Sequence, residues 1–291
     1  MLVEGIHFDL MYSPLRYLGY KSVISNLSDV YAMNAHPQQI TVSIAFSNRF
    51  SVEALTELYD GVYEACRNYN VDLVGGDTTS SQKGLIISIT AIGEVAPGKY
   101  VTRAGAKKGD LLCVSGDLGS AFLGLTLLQR EKQVFLETKI SQPDFEEQRY
   151  IVQRILKPEA RKDIIDFFSE SDILPTSMID ISDGLSSEIK HLCKNSDTGA
   201  LIYEERIPVD DHARQFAYKL EIDPTMCALN GGEDYELLFT IRQEDYEKIK
   251  NNPDITIIGH MTEKEKGTKI MTRGGAEHDL LAQGWDNLKE K

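Results

Sequence analysis

Four short acidic segments stand out because each combines aspartate or glutamate with serine or glycine. Glycine lets the backbone approach a ligand closely, and carboxylate and hydroxyl oxygens are ligands that Mg²⁺ prefers, usually together with water and substrate phosphates. Each segment alone is a weak signal, since such a turn more often caps itself or the next helix. Together they predict a site for magnesium-bound phosphate. The segments are Ser28-Asp29, Gly75-Gly76-Asp77-Thr78-Thr79, Asp180-Ile181-Ser182-Asp183-Gly184 and Gly231-Gly232-Glu233-Asp234.

Three aspartates in these segments are the sharpest candidates. Asp29 lies within a predicted helix, beside an apolar stripe where an ionised carboxylate is costly unless it is paired or metal-bound. The alternative is a solvent-facing side chain next to that stripe. Asp180 and Asp183 follow a buried-looking strand, so both carboxylates can face one crevice at the end of that strand. For Asp183 the alternative is an N-cap of the following helix.

The composition narrows the class of protein. The 31 basic and 45 acidic residues give a formal charge of −14, which argues against a nucleic-acid groove built on Lys and Arg alone. An acidic protein that handles phosphates must recruit cations, in agreement with clustered carboxylates. The four cysteines lack zinc-ligand spacing, and no apolar run approaches the roughly 20 residues that span a bilayer. We therefore expect a cytoplasmic protein with reduced thiols and neither nucleic acid nor membrane as a partner.

The pattern of apolar residues predicts strands interleaved with helices, the arrangement of an α/β or α+β fold. A Gly- and Lys-rich stretch at 97–110 lacks either period, so we place a domain junction there, with domains at 1–98 and 105–291. The first unit is predicted to contain a strand at 2–8, a helix from Ser13-Pro14 to about Asn34, a strand at 40–46, a helix at 51–70, a short strand at 71–75 ending in a glycine turn, and a strand at 85–91.

The second unit is predicted to open with a strand at 111–115 and a glycine-rich turn at 116–120. It lacks the phosphate loop G-x-x-x-x-G-K-[ST] and a nucleophile elbow. Phosphate binding therefore has to depend on carboxylates and metal. Further elements are helices near 120–130, 144–156 and 159–170, and strands at 178–181, 199–203, 236–241 and 255–262.

Six strings, in this order and spacing, resemble the thiamine-monophosphate kinase family over essentially the whole chain. The Ser-Asp and Gly-Gly-Asp pieces also recur in the wider superfamily of aminoimidazole ribonucleotide synthetase, selenophosphate synthetase and hydrogenase-maturation proteins, but the combination is more specific. The strings are Leu2-Val3-Glu4-Gly5-Ile6-His7-Phe8, Asn26-Leu27-Ser28-Asp29-Val30-Tyr31-Ala32-Met33, Leu73-Val74-Gly75-Gly76-Asp77-Thr78-Thr79, Thr102-Arg103-Ala104-Gly105-Ala106, Ile179-Asp180-Ile181-Ser182-Asp183-Gly184-Leu185 and Gly231-Gly232-Glu233-Asp234-Tyr235-Glu236-Leu237.

The resemblance implies a two-domain, aminoimidazole ribonucleotide synthetase-like fold of the α/β (α+β) class. Its N-terminal domains pair in a homodimer, and ATP binds in the cleft between the domains. The implied reaction is phosphorylation of thiamine monophosphate to thiamine diphosphate by direct in-line transfer with several Mg²⁺ ions and no phosphoenzyme. No catalytic side chain in the strict sense is needed, because the acceptor phosphate oxygen is already ionised near neutral pH.

The resemblance also assigns residues to roles, and four of them have a structural alternative. His7 can be a satisfied strand residue, Tyr59 a core aromatic, Arg103 a solvated linker charge, and Trp285 an anchor of the C-terminal tail, although a flat aromatic face suits a cationic thiazolium ring. The implied metal ligands are Asp29, Asp77, Asp180 and Asp183. The implied ATP-binding residues are Tyr59, Gly76, Asp77, Arg103 and Ser182. The implied substrate-binding residues are His7, Glu233 and Trp285.

One departure from the family pattern concerns the start of the chain. Upstream of the Leu2-Val3-Glu4-Gly5 string the family carries a further segment with acidic metal ligands, and the sequence here begins at Met1. The expectation is an incomplete magnesium cluster and a first strand without its neighbour. Two alternatives stay open at this point: a sister ATP-dependent enzyme that activates another small molecule, and a truncated, non-catalytic dimeric nucleotide-binding protein.

Overall fold

The computed structural model describes residues 1–139 and 144–281, and within them two β-sheets form. A four-stranded sheet is built from the first third of the chain, and a seven-stranded sheet from residues beyond 110. The mixed α/β fold predicted from the sequence is confirmed. Trp285 lies outside the described residues. None of the helices in these two ranges combines the length and apolarity needed to cross a membrane.

The smaller sheet has the strand order β1-β4-β2-β3, with β2 antiparallel to β4 and parallel to β3. One face buries alternate apolar residues of β2 and β4, such as Ile40, Val42 and Ile87, against two helices. Period-two burial of this kind is what the sequence pattern predicted. The strands are β1 (Leu2–Val3), β2 (His36–Phe46), β3 (Asp72–Ser80) and β4 (Leu85–Glu94); the helices are α1 (Leu15–Tyr31) and α2 (Val52–Tyr69).

The larger sheet has the order β11-β10-β7-β9-β5-β8-β6, with β8 and β6 buried along their whole length. Its strands are β5 (Leu111–Ser115), β6 (Ser177–Asp180), β7 (Gly199–Tyr203), β8 (Leu237–Ile241), β9 (Ile255–Thr262), β10 (Thr268–Met271) and β11 (Glu277–Asp279). Its helices are α3 (Ser120–Thr138), α4 (Arg149–Leu156), α5 (Lys162–Glu170), α6 (Leu185–Ser196), α7 (Asp211–Lys219), α8 (Pro224–Asn230) and α9 (Tyr246–Ile249).

Two local predictions were wrong. The strand expected at 2–8 ends at Val3, because Gly5 adopts a positive φ of 80° and its N–H bonds the carbonyl of Phe8, which closes a turn. The glycine turn expected at 75–77 is instead the middle of β3. A Cβ at Gly76 would lie 1.8 Å from the carbonyl oxygen of Val42, so glycine allows close strand pairing there and not a turn.

Candidate active site

The first and third acidic segments meet where α1 contacts β6. The Ser28 hydroxyl donates a 2.9 Å hydrogen bond to Oδ2 of Asp180, although the two residues are 152 positions apart. Both are buried, Asp180 with 4% of its surface exposed. Asp29, the next residue on α1, is exposed and close enough for its charge to act on Asp180. Helix α1 therefore carries one carboxylate to the crevice and holds a second one in place.

The carboxylates of this crevice carry more negative charge than their partners neutralise. Burial and then repulsion from Asp29 raise the pKa of Asp180 to about 6, against the hydrogen bond from Ser28 and the attraction of Arg103. Asp29 is open to solvent, yet the protein atoms around its carboxylate also raise its pKa, opposed by Arg103. Both shifts mean that the ionised forms lack compensation, which is the environment that a bound cation relieves.

The Gly231–Leu237 segment forms the facing wall. The N–H of Glu233 donates to the carbonyl of Ser182 at 2.8 Å, and the N–H of Tyr235 to that of Ile181 at 3.0 Å. A Cβ at Gly232 would lie 2.4 Å from the Ser182 carbonyl oxygen, so only glycine fits against that turn. Glu233 and Tyr235 both adopt left-handed backbone with φ of 65° and 53°. Such strain in non-glycine residues is typical of functional sites.

The buried Tyr235 lies within electrostatic reach of four carboxylates. Its pKa is raised, first by burial and then by the negative charges of Glu233, Asp180, Asp29 and Asp183, in that order. Residues from α1, from the end of β6 and from the Gly231–Leu237 segment therefore surround one side chain. Tyr235 was not predicted as a site residue, since a tyrosine after an acidic pair has no distinctive pattern.

Asp183 is exposed, and its carboxylate has no hydrogen bond or ion pair within the part of the chain that the structure describes. The N-cap position of α6 is taken by Gly184, with no side-chain cap, so the interpretation of Asp183 as an N-cap is wrong. The N–H of Asp183 instead donates to Oε1 of Glu188 at 3.1 Å. This geometry leaves the Asp183 carboxylate available to a ligand.

Glu188 lies beneath the turn that carries Asp183. It is 1% exposed, its Oε2 finds no partner among the described residues, and burial raises its pKa to about 8. The sequence signal was present, a glutamate in the first turn of the helix that follows Asp183, but an acidic residue there is normally a solvated helix-dipole partner. Sequence reasoning therefore missed it.

A second group of predicted residues lies on and beside the edge strand β3. Oδ1 of Asp77 accepts the N–H of Thr78 at 2.8 Å, and the Asp77 side chain is exposed. Tyr59 on α2 is half-buried and hydrogen bonds the Thr78 side chain, while burial raises its pKa. Gly76, Asp77 and Tyr59 are thus neighbours, as the nucleotide prediction requires. Among the described residues, no hydrogen bond or ion pair of the Asp77 side chain joins this group to the acidic crevice.

Arg103 and His7 occupy exposed loops. Arg103 lies close enough to Asp29 and Asp180 for its positive charge to oppose the rise in the pKa of both. His7 sits in the turn after β1, where its Nδ1 accepts the N–H of Val3 at 3.1 Å, so it is a turn residue and not the strand residue of the alternative. The structure therefore brings Arg103 to the acidic crevice and leaves the ring of His7 oriented by its own turn.

Magnesium fits the acidic crevice by the chemistry of its donors. No group of three or more His, Cys, Asp or Glu side chains within residues 1–139 and 144–281 is arranged to hold a metal ion by itself. However, Asp29 and Asp180 offer hard oxygen ligands whose charges are under-compensated, the Asp183 carboxylate nearby is exposed, and Mg²⁺ usually completes its shell with water and phosphate.

A different acidic cluster lies in the interior of the second domain. Glu236 is 2% exposed and accepts from Arg154 at 3.0 Å, from Arg161 at 2.7 Å and from the Ser115 hydroxyl at 2.5 Å. Asp234, fully buried, accepts the N–H groups of Gly119 and Ala121 at 2.8 and 3.3 Å. The N-terminus of α3, which would suit a phosphate, is therefore occupied by the protein's own carboxylate.

Comparisons with known proteins agree with this architecture. The family model described as AIR synthase related protein, N-terminal domain, matches residues 1–95, and the corresponding C-terminal domain model matches residues 107–271. The chain is 32% identical to thiamine-monophosphate kinase of Bacillus subtilis, covering 99% of this chain and 86% of the relative. It is 36% identical to the enzyme of that name from Escherichia coli K12, covering 99% and 84%.

Solved structures give the same result. A structure of AaThiL complexed with AMPPCP and TMP superposes with a TM-score of 0.82 at 31% identity, covering 99% of this chain and 85% of that one. Thiamine-monophosphate kinase from Stenotrophomonas maltophilia gives 0.81 at 27% identity, covering 94% and 84%. Hydrogenase maturation protein HypE gives 0.70 at 18% identity, covering 94% and 84%, a likeness of fold alone.

Proposed function

The chain belongs to the thiamine-monophosphate kinase family, and we propose that it is a thiamine-phosphate kinase, which transfers a phosphoryl group from ATP to thiamine monophosphate. The observation that carries this function is the Ser28–Asp180 contact, which joins two of the family's motifs in one acidic crevice. A solved relative with 31% identity holds AMPPCP, an ATP analogue, together with TMP.

The reaction needs positioning more than covalent chemistry. Two phosphates must meet in line, and the attacking oxygen is already ionised, so no side chain has to remove a proton. Asp29, Asp180 and Asp183 would hold magnesium in the crevice, and Asp77 would hold it from β3. Magnesium bound to these carboxylates would supply positive charge that offsets the repulsion between the two phosphates. The carboxylates that repel one another without a ligand thereby become the attachment points of the substrates.

The remaining predicted residues support binding of the two substrates on either side of this centre. Tyr59, Gly76, Arg103 and Ser182 are proposed to contact ATP. His7, Glu233 and Trp285 are proposed to contact thiamine monophosphate. The carbonyl of Ser182 accepts the N–H of Glu233, so the nucleotide side and the acceptor side are joined by one backbone hydrogen bond.

We also propose a homodimer formed by the smaller sheet. Strand β3 lies at the edge of that sheet, and eight of its nine residues are exposed. Val74 and Ile92 expose 53% and 52% of their surface there, which is costly for apolar side chains unless a second copy covers them. A cytoplasmic location is proposed from the four cysteines, all buried and free.

Titration calorimetry with thiamine monophosphate tests the function directly. The protein is titrated in the presence of Mg²⁺ and AMPPCP, and again without the metal, and thiamine diphosphate formation from ATP is measured in parallel. We expect binding that requires both Mg²⁺ and nucleotide. The variant Asp29→Asn should lose it, whereas Asp211→Asn, an exposed helical aspartate of α7, should not. A folded wild-type protein that binds Mg²⁺-AMPPCP but not thiamine monophosphate would overturn the proposed substrate.

A further inference from the structure

Lys21 is a buried cation that the reaction outlined above does not use. Its side chain is 8% exposed, and its Nζ lies 2.8 Å from Oε2 of Glu233, across 212 positions of the chain. A buried ion pair is poor at stabilising a fold, because the cost of removing both charges from water offsets most of their attraction. Apolar residues would join α1 to the Gly231–Leu237 segment at least as well, so the pair calls for another explanation.

The position of Lys21 on α1 relates it to the acidic crevice. Lys21 and Ser28 are seven residues apart, so they lie on one face of the helix, about 10 Å from each other along its axis. Ser28 contacts Asp180, and Lys21 contacts Glu233, both of which border Tyr235. One helix face therefore presents a cation at one end of the crevice and the proposed metal ligands at the other.

The other cations near the crevice are already committed. Arg103 acts on Asp29 and Asp180, at the proposed nucleotide end. Lys132, near the Glu233 end, pairs with Asp9 and is 29% exposed. Within residues 1–139 and 144–281, Lys21 forms its ion pair with Glu233, whose carboxylate is 26% exposed and can be solvated on its own. The Lys21–Glu233 pair can therefore open at little cost when a stronger anion arrives.

We propose that Lys21 binds the phosphate of the acceptor substrate and that Glu233 is its resting counter-ion. The entering phosphate replaces the Glu233 carboxylate on the Lys21 ammonium, whose three donors suit phosphate oxygens. Glu233 is then released toward the cationic, amino-bearing rings of the substrate. This inference rests on the proposed function. It assigns the phosphate of the acceptor to Lys21 and the organic part to Glu233, and these two side chains form an ion pair until the acceptor binds.

The test compares two ligands that differ by the phosphate, thiamine monophosphate and thiamine, each titrated with Mg²⁺ and AMPPCP present. Lys21→Met should weaken binding of thiamine monophosphate by roughly tenfold or more and should not weaken thiamine binding, because it removes a charged hydrogen bond to phosphate and frees Glu233 for the rings. Lys21→Arg should retain most of the affinity. Lys132→Met, which removes the other lysine at this end, should change neither affinity.

Glu233→Gln provides the opposing measurement. It should weaken thiamine binding and raise the ratio of the two affinities, because Lys21 is then free for phosphate, whereas Lys21→Met should lower that ratio. A purely structural pair would move both affinities together in both variants. Equal losses for the two ligands in Lys21→Met, or no loss, would overturn the role of Lys21 while leaving the kinase function intact. Wild-type protein that binds the nucleotide but not thiamine monophosphate would instead overturn the function on which the role rests.

Discussion

Two acidic regions of this molecule contain equally buried carboxylates but have different roles. Asp180 in the crevice is 4% exposed, and it accepts a hydrogen bond from the Ser28 hydroxyl while Asp29 repels it. Glu236 in the second domain is 2% exposed and has two arginines and a serine. Burial alone therefore does not mark a site. The difference lies in compensation: charges that the fold neutralises hold the fold, and charges left over are available to ligands.

The largest effect on stability is expected from a substitution at Glu236, the carboxylate whose charge is compensated. Glu236→Gln leaves the buried Arg154 without its counter-ion and leaves Arg161 paired with the exposed Asp163 and Asp254, and it should lower the free energy of unfolding by about 3–5 kcal/mol. Urea unfolding measures this loss. The matched change Glu277→Gln, in an exposed pair with Lys269, should cost less than about 1 kcal/mol. Equal losses in the two variants would contradict the distinction.

An acid-to-amide substitution at Asp180, whose charge is not compensated, should not lower the stability of the ligand-free protein. Asp180→Asn should reduce kcat/KM for thiamine monophosphate on the order of 100-fold or more, because it removes a proposed metal ligand. The ligand-free variant should nevertheless unfold at no lower temperature than wild type at pH 8. A variant that loses activity only in proportion to lost stability would place Asp180 with the structural acids.

The pH dependence of stability sharpens the comparison further. The folded pKa of Asp180 is raised from 3.8 to about 6, so its favourable contribution is present below about pH 4 and is lost as pH rises through 6. Relative to Asp180→Asn, ligand-free wild type should therefore lose stability on the order of 3 kcal/mol between pH 4 and 7.5. Unfolding of both proteins across this range gives the difference. Added Mg²⁺ should reduce it, and a flat difference would contradict the shift.

The smallest effect is expected from the hydrogen bond between α1 and β6. Ser28→Ala removes the donor to Asp180 and should cost about 1 kcal/mol of stability and a few-fold in Mg²⁺ affinity. Ser25→Ala serves as control, since the described partners of the Ser25 hydroxyl, the Ser22 carbonyl and the Asn26 side chain, lie on the same helix. Magnesium titration followed by calorimetry distinguishes them. An identical effect of the two variants would remove Ser28 from the support of the site.

The sequence predicted the fold more completely than the candidate site. Periodicity predicted α1, α2, β2 and β4 because each buries one face, and it placed Asp29 within a helix. It did not identify Lys21 or Glu188, since the partner of Lys21 is 212 positions away and the carboxylate of Glu188 is covered only by packing.

Residue type also could not distinguish a ligand-binding glutamate from a structural one within the same motif. Glu233 and Glu236 are three positions apart, yet one borders the crevice and the other is held by arginines. The glycine turn predicted after the strand at 71–75 is wrong because close strand pairing at Gly76 leaves the same sequence signal. The family itself was predicted correctly, because six strings in one order carry far more information than any one of them.

The contacts that build the crevice have a consequence for the order of events during folding. Ser28–Asp180 and Lys21–Glu233 join residues 152 and 212 positions apart, so neither exists until both sheets have formed. Contacts of such separation are slow to close and form late. Loss of these two contacts should accordingly cost less than unfolding of either sheet, and amide hydrogen exchange at Ser182–Gly184 should slow when substrates bind, before exchange within either sheet changes.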